Sequence, residues 1–256
     1  MRDTLRMMTL NVAHGSRNPL PAALLRRRTL ARNLEAIAAL VRRADADVVA
    51  LQEIDRACPF SKNVDHFAWI ADSARMPYHL HAPHGRRDRF GMLHGHALLS
   101  RHRLESAEDR RFGRRFCHDK GFVVATMTAP ELGGRAIDAV SVHLEPFAAG
   151  VRRSQILELA GALGARRQRT GRPLVVMGDM NTSYGDAKRG VGLLASQAGL
   201  VAWRPAERLP TYAMSLPLVR FDWILTSPEL RIVRHETLAE RVSDHAAVIA
   251  DVALVA

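Results

Sequence analysis

The sequence predicts an α+β chain in which mixed β-sheets are layered into a sandwich. Three observations carry this. Apolar, β-prone runs recur along all 256 residues, some joined by helical stretches and others by loops, which mixes parallel and antiparallel neighbours. No internal repeat or low-complexity linker divides the chain. The polar residues at the ends of these runs extend from Asn11 to His245, so a single domain, 1–256, must bring both ends together.

The elements follow in order. Residues 5–12 read as a first strand, and Asn18, Pro19, Leu20 and Pro21 as a loop. Leu30, Leu34, Ile37 and Val41 recur at helical spacing, giving an amphipathic helix to about Arg43. Residues 47–53 form a short buried strand that ends on an acid. A second helix holds 67–71 and stops before Pro77. Strands are expected at 97–100, 121–126 and 136–143. Residues 154–169 form a helix with Ile156, Leu159, Ala160 and Leu163 on one face. A buried strand at 173–178, a short helix at 192–199 and strands at 221–225, 230–235 and 246–252 complete the chain.

Composition narrows the class. Apolar content of 47% and charged content of 25% are ordinary for a globular protein. No apolar run reaches the roughly 18 residues needed to span a bilayer, and the first residues carry no signal-peptide pattern. Cys58 and Cys117 are too few for a disulfide framework and form no Cys-x-x-Cys pair. A reducing, cytoplasmic setting is expected. The net charge is +11, and lysine occurs only at 62, 120 and 188, so nearly all 37 basic residues are arginine. They cluster at 26–28, 86–89, 110–115 and 166–169. Such clusters attract anions: nucleic acid, an anionic lipid surface or a phosphorylated small molecule. An arginine-rich composition with solvated side chains is the plain alternative.

The chemistry lies in four fragments at strand ends: Thr9-Leu10-Asn11, Leu51-Gln52-Glu53, Gly178-Asp179-Met180-Asn181 and Ser243-Asp244-His245. They supply hard oxygen ligands and an imidazole without an activated Ser or Cys. That set suits Mg²⁺ or Mn²⁺ and an attacking water. Ser100 and Ser243 lie in no Gly-x-Ser-x-Gly elbow. Histidines 79, 81, 84 and 94 share a region but show no zinc spacing.

Together with Gly95-His96-Ala97-Leu98-Leu99-Ser100, Ser141-Val142-His143-Leu144 and Arg220-Phe221-Asp222-Trp223-Ile224, these fragments make seven motifs in one order. In that order the chain resembles the endonuclease/exonuclease/phosphatase superfamily, and most closely its small bacterial stand-alone metal-dependent hydrolases. The resemblance implies a deoxyribonuclease I-like fold. This is a four-layer αββα sandwich of two mixed sheets packed face to face, with helices outside and the site at one end.

Residue roles follow from chemistry and agree with the resemblance. Glu53 ends a buried strand, where an unpaired carboxylate is costly, so it is the first metal ligand, with Asn11 beside it. A salt bridge to an arginine is the alternative. Asp179 and Asn181, two apart, would share one face of an extended segment, the acid handling water and the amide a phosphate oxygen. Gly-Asp-x-Asn is also good turn chemistry. His143 and His245 would donate to phosphate oxygens, Asp222 would orient His245, and Asp244 is a further metal candidate. His96, where relatives usually have Asn, and Arg152 are the substrate-contact candidates. A tolerated substitution and a solvated helix residue are their alternatives. The expected activity is hydrolysis of a phosphodiester in nucleic acid or a phospholipid head group. The alternatives are a phosphomonoesterase on a small metabolite and a non-catalytic polyanion-binding module.

Overall fold

The computed structural model describes residues 3–17, 22–59, 61–83, 94–113, 116, 120–185, 188–204, 210–212 and 219–255. The loop expected at 18–21 lies outside them, as do His84, Cys117 and the arginines at 86, 87, 89, 114 and 115.

The described strands form two six-stranded sheets built on one plan. In the first, β1 (Leu5–Asn11) and β2 (Val48–Asp55) run parallel at the centre, joined by α1 (Arg27–Ala44). On one side β4 (His94–Ser100) and β3 (Tyr78–Pro83) continue antiparallel; on the other, β12 (Val248–Leu254) and β11 (Leu230–Thr237). In the second sheet β7 (Arg135–His143) and β8 (Leu174–Asp179) are the central parallel pair, joined by α3 (Ala149–Thr170). They are flanked by β6 (Gly121–Ala129) and β5 (Glu105–Arg111), and by β10 (Asp222–Thr226) and β9 (Val201–Ala202).

Three apolar layers hold this together. Leu30, Leu34, Ile37 and Val41 of α1, with Phe67 and Ile70 of α2 (His66–Ser73), pack on Met8, Leu10, Val49 and Leu51. Ile156, Leu159 and Leu163 of α3, with Leu193 and Leu194 of α4 (Gly190–Ala198), pack on Val140, Val142 and Val176. Between the sheets lie Leu5, Met7, Val48, Ala50, Val123, Ala139, Val175, Met177 and Ile224. The layers run helix, sheet, sheet, helix, as the four-layer sandwich requires.

The period-2 alternation of each strand sends its odd or even residues inward. On β1 the inward track reads Leu5, Met7, Thr9, Asn11. On β7 it reads Ile137, Ala139, Ser141, His143, and on β8 Val175, Met177, Asp179. Each track starts apolar and ends polar at the same end of the sandwich. Both central pairs are parallel, so their carboxyl ends coincide there, which is where α/β sheets open a crevice.

The sequence left out three strands: β3, β5 and β9. Each is the edge of its sheet. β5 is exposed along nearly its whole length, and β3 buries only Ala82, with Leu80 partly covered, so neither gives periodicity much to reveal. Helix α3 also starts five residues earlier than its apolar pattern.

Not all the arginine clusters are surface charge. Arg166 is 3% exposed. Its Nε donates to Asp138 Oδ2 (2.7 Å), its Nη2 to Asp138 Oδ1 (3.0 Å) and its Nη1 to Glu108 Oε1 (2.6 Å). Thr126 Oγ1 donates to the same Asp138 (2.6 Å). Arg167 pairs with Glu229 and Arg169 with Glu108, so this cluster ties α3 to its sheet at the end away from the polar tracks. Replacing Arg166 with Ala strands Asp138 without its cation. The expected loss is about 3 kcal/mol of stability, read by urea unfolding.

Candidate active site

The polar ends of the tracks line a cavity of about 420 Å³. Asn11, Glu53, His143, Asp179, Asn181, Asp244 and His245 all face it, joined by His14, His94, Lys120, Pro146, Phe147, Tyr212 and Phe221.

Glu53 reaches the cavity through a backbone irregularity. Simple alternation would put it on the outer face of β2 with Val49 and Leu51, under α1. Instead the register with β4 slips between Gln52 and Ile54, and Glu53 adopts φ +53°. This β-bulge turns the carboxylate away from the helix layer. Its partners are imidazoles: His14 Nε2 at 3.5 Å and His143 Nε2 at 3.8 Å. Among the described residues no arginine pairs with it. Burial opposes its charge, but His14, Lys120 and His245 outweigh that and hold its pKa below the usual value.

Asp179 is the hub. It is 1% exposed. Asn11 Nδ2 donates to its Oδ2 (3.0 Å), and the Asn181 backbone N–H donates to its Oδ1 (2.8 Å). His143 Nε2 lies 3.5 Å from Oδ2, and His245 Nε2 3.7 Å. Burial pushes its pKa well above the ordinary carboxylate range; His245 opposes this and Asp222 adds to it. The segment after it is not extended. Asn181 sits at φ +48°, so the chain turns, and the aspartate side chain closes that turn. Asn181 Nδ2 then donates to Leu144 O (2.9 Å) and to His143 Nε2 (3.0 Å).

Asp222 stands directly across the ladder from Asp179 and is fully buried. Its Oδ2 accepts from His245 Nδ1 at 2.8 Å. Burial would discharge His245, yet Asp222, Asp179 and Asp244 raise its pKa, so the imidazolium is the stable form. Asp179, Asp222 and His245 are close enough together to hold an ion. The imidazole already lies between the two acids, so this cluster reads as an oriented histidine.

The donor set that fits a hard cation is in front of it. Glu53 and Asp244 turn carboxylates into the cavity. Burial raises the Asp244 pKa, against the pull of His245 and with the push of Glu53. Asn11 Oδ1 accepts from Ala13 N–H (3.0 Å) and keeps a second lone pair.

Two expected contacts do not hold. His96 is fully buried on the inward track of β4, opposite Gln52, and does not line the cavity. Burial depresses its pKa to about 3, so it is a neutral interior residue out of a substrate's reach. Arg152 donates to Glu145 O (2.6 Å) and Pro146 O (2.9 Å). It fastens the loop carrying Phe147 and does not line the cavity itself.

Three contributors escaped the sequence. His14 (φ +55°) places Nδ1 2.9 Å from Asp55 Oδ1; burial lowers its pKa, but Asp55 and Glu53 carry it up to about 9. Lys120 is buried, with Nζ 3.1 Å from both ring nitrogens of His143. Burial lowers its pKa against the pull of Glu53 and Asp179. Its rarity was the available signal, a lysine in a chain that otherwise uses arginine. Tyr212 packs its ring 4.9 Å from that of His245 and carried no signal.

Comparison with known proteins agrees with this geometry. The model of the Endonuclease/Exonuclease/phosphatase family matches residues 8–245. The chain belongs to that family. It is thus one of a group of phosphoester hydrolases, generally dependent on a divalent metal. It is 30% identical over 240 residues to YbhP of Escherichia coli K12, described as an uncharacterized protein, covering 84% of this chain and 86% of that one. Among solved structures, an endonuclease/exonuclease/phosphatase from Beutenbergia cavernae superposes with a TM-score of 0.80 at 20% identity, over 99% of this chain and 72% of that one. The mannosyl-6-phosphatase Bt3783 of Bacteroides thetaiotaomicron gives 0.74 at 16% identity, over 98% and 100%. In this family member, no helix among the described residues is long and apolar enough to cross a membrane.

Gly178 sets the position of Asp179. A Cβ there would run into the Val142 carbonyl oxygen on the neighbouring strand. Gly178→Ala should cost about 2 kcal/mol by overpacking. Thermal unfolding should show the loss, and activity should fall further than stability explains, because the adjacent carboxylate moves.

Proposed function

We propose that this family member is a divalent-metal-dependent phosphodiesterase that works by in-line attack of water on phosphorus. The observation that carries the reading is the Asp179 hub. One buried carboxylate of raised pKa contacts Asn11 and His143 at the ends of β1 and β7, Asn181 in the turn after β8, and His245 in the loop before β12.

Glu53 and Asp244, with Asn11 Oδ1, would hold Mg²⁺ or Mn²⁺. Such an ion neutralises the phosphoryl oxygens and the leaving oxygen. Asp179 has the basicity to take a proton from the attacking water, because burial disfavours its charge. His245, held by Asp222, directs a cationic Nε2–H at a phosphoryl oxygen as negative charge builds there. His143 also lines the cavity, its ring held in place by Asn181 and Lys120. A diester is favoured over a monoester by the cavity wall. Pro146, Phe147 and Phe221 are among the residues that line the cavity, and a second ester substituent could lie against their apolar surface.

The test is a hydrolysis panel with EDTA and with added Mg²⁺ or Mn²⁺. It compares bis-p-nitrophenyl phosphate, p-nitrophenyl phosphate, plasmid DNA, RNA, sphingomyelin and phosphatidylglycerol. Activity should vanish in the chelator, return with metal, and favour the diester over the monoester. Full activity in EDTA would sink the mechanism.

Two substitutions separate the roles. Glu53→Gln should raise the Mg²⁺ needed for half-maximal activity about tenfold or more. His245→Ala should leave that requirement near wild type and lower kcat by about 10²–10³. A reversed pattern would invert the assignment.

A further inference from the structure

The end of the sandwich away from the cavity holds a second set of metal-ligating side chains. Asp47 stands just before β2, His102 just after β4, and Glu131 in the short 3₁₀ turn Pro130–Leu132 that follows β6. Val48 pairs with Ser100 across the ladder, so Asp47 and His102 leave the first sheet close together. Glu131 comes from the second sheet. Its neighbour Leu132 is buried in the layer between the sheets, and Ser100 Oγ contacts Met127 Sδ across that layer (4.0 Å).

One ring nitrogen and one oxygen from each carboxylate lie within 4.8 Å of one another. The side chains are mostly buried, at 2% exposure for Asp47, 15% for His102 and 18% for Glu131. His102 Nε2 and Glu131 Oε2 are shut off from solvent, and neither hydrogen-bonds to a described residue. They stand 3.2 Å apart without hydrogen-bond geometry, so the ring nitrogen aims past the oxygen. Two ligands of a tetrahedral ion with bonds of about 2.0 Å are themselves about 3.3 Å apart. The pair has that spacing.

Charge points the same way. Arg101 Nη2 pairs with Asp45 (2.7 Å), and its Nη1 reaches Asp47 Oδ1 at 3.5 Å. Among the described residues no Lys or Arg pairs with Glu131. A largely buried carboxylate beside a second one is costly without a cation. The backbone around the three residues is already fixed. Arg6 N–H donates to Asp47 Oδ2 (2.8 Å), His102 N–H to Ser100 Oγ (2.9 Å), and Gly133 N–H closes the Glu131 turn on Pro130 O (3.1 Å).

We infer that Asp47, His102 and Glu131 bind a divalent cation of the Zn²⁺ type, with water in the remaining position. The ion would clamp the two sheets together at the end opposite the catalytic cavity. An imidazole in the set favours zinc over Mg²⁺, which prefers oxygen ligands and keeps its waters. The site shares no residue with the cavity and does not depend on the phosphodiesterase reading.

The test uses the intact protein carrying Glu53→Gln and Asp244→Asn, to weaken metal binding in the cavity, with Zn²⁺ alone as the probe. After stripping with EDTA, equilibrium dialysis should find a single Zn²⁺ held at micromolar concentration. A large excess of Mg²⁺ should not displace it. Adding His102→Ala or Glu131→Gln should weaken this binding about tenfold or more. Saturating Zn²⁺ should raise Tm by about 5 °C in the starting variant and leave it unchanged once His102→Ala is added. Glu131→Gln keeps the size of the side chain, so lost zinc binding with an unchanged Tm in EDTA separates ligation from folding. In otherwise wild-type protein neither change should alter the rate on bis-p-nitrophenyl phosphate in Mg²⁺. Absence of bound Zn²⁺ in the starting variant, or a zinc affinity that neither added substitution lowers, would overturn the inference.

Discussion

Everything at the catalytic end depends on keeping one carboxylate, that of Asp179, in an interior that would otherwise reject it. An isolated buried charge is costly, and this one is compensated by donors from across the fold. Asn11 comes from the opposite sheet, His143 from the adjacent strand, His245 from the loop before β12, and Asn181 from the turn that Asp179 itself closes. The chain ends are thereby brought to one point. Loss of any single partner leaves the carboxylate under-compensated, so the fold and the site constrain each other.

Below the hub, polar residues continue between the sheets. Thr9 Oγ1 donates to Gln52 Oε1 (3.3 Å), and Gln52 Nε2 donates to Ser141 Oγ (3.2 Å). All three side chains are fully buried. The bridge links β1 and β2 to β7, one step beneath Asn11, Glu53 and His143. The apolar inter-sheet layer begins directly below it with Met7, Ala50 and Ala139. A hydrocarbon layer sets the sheet spacing but tolerates sliding, whereas directional hydrogen bonds fix register. The floor thus gives the two halves of the cavity a defined mutual position.

Much of this was legible in the sequence because the buried strands and helices carry clear periodicity. Six of the seven motifs fall on strands with a buried face, and the seventh, Ser243-Asp244-His245, lies in the loop just before β12. Legibility failed where local pattern and local structure part. Alternation assigns Glu53 to the helix side, and the bulge reverses it. Spacing assigns Asn181 to an extended segment, and a left-handed residue replaces it with a turn. His96 reads as a substrate contact or a tolerated polar substitution, yet it is fully buried and does not line the cavity. The edge strands β3, β5 and β9 left no trace because little on them is buried. His14 and Tyr212 reach the cavity by the path of a loop, which no periodicity encodes.

The charge balance in the cavity explains why the site can be assembled before a substrate arrives. Three carboxylates, Glu53, Asp179 and Asp244, share a partly enclosed space with Lys120 and the imidazoles of His14, His143 and His245. In low dielectric, like charges so placed would repel strongly if either set were alone. Interleaving the two signs limits that repulsion: Glu53 lies near His14 and His143, and Asp179 near His143 and His245. On the proposed reading, a phosphate diester would add one negative charge and a divalent cation would more than offset it. Bringing both together changes the total less than bringing either alone. On this argument metal and substrate should enter a site already set to receive both, with the protein's own groups arranged for the charge that develops during reaction.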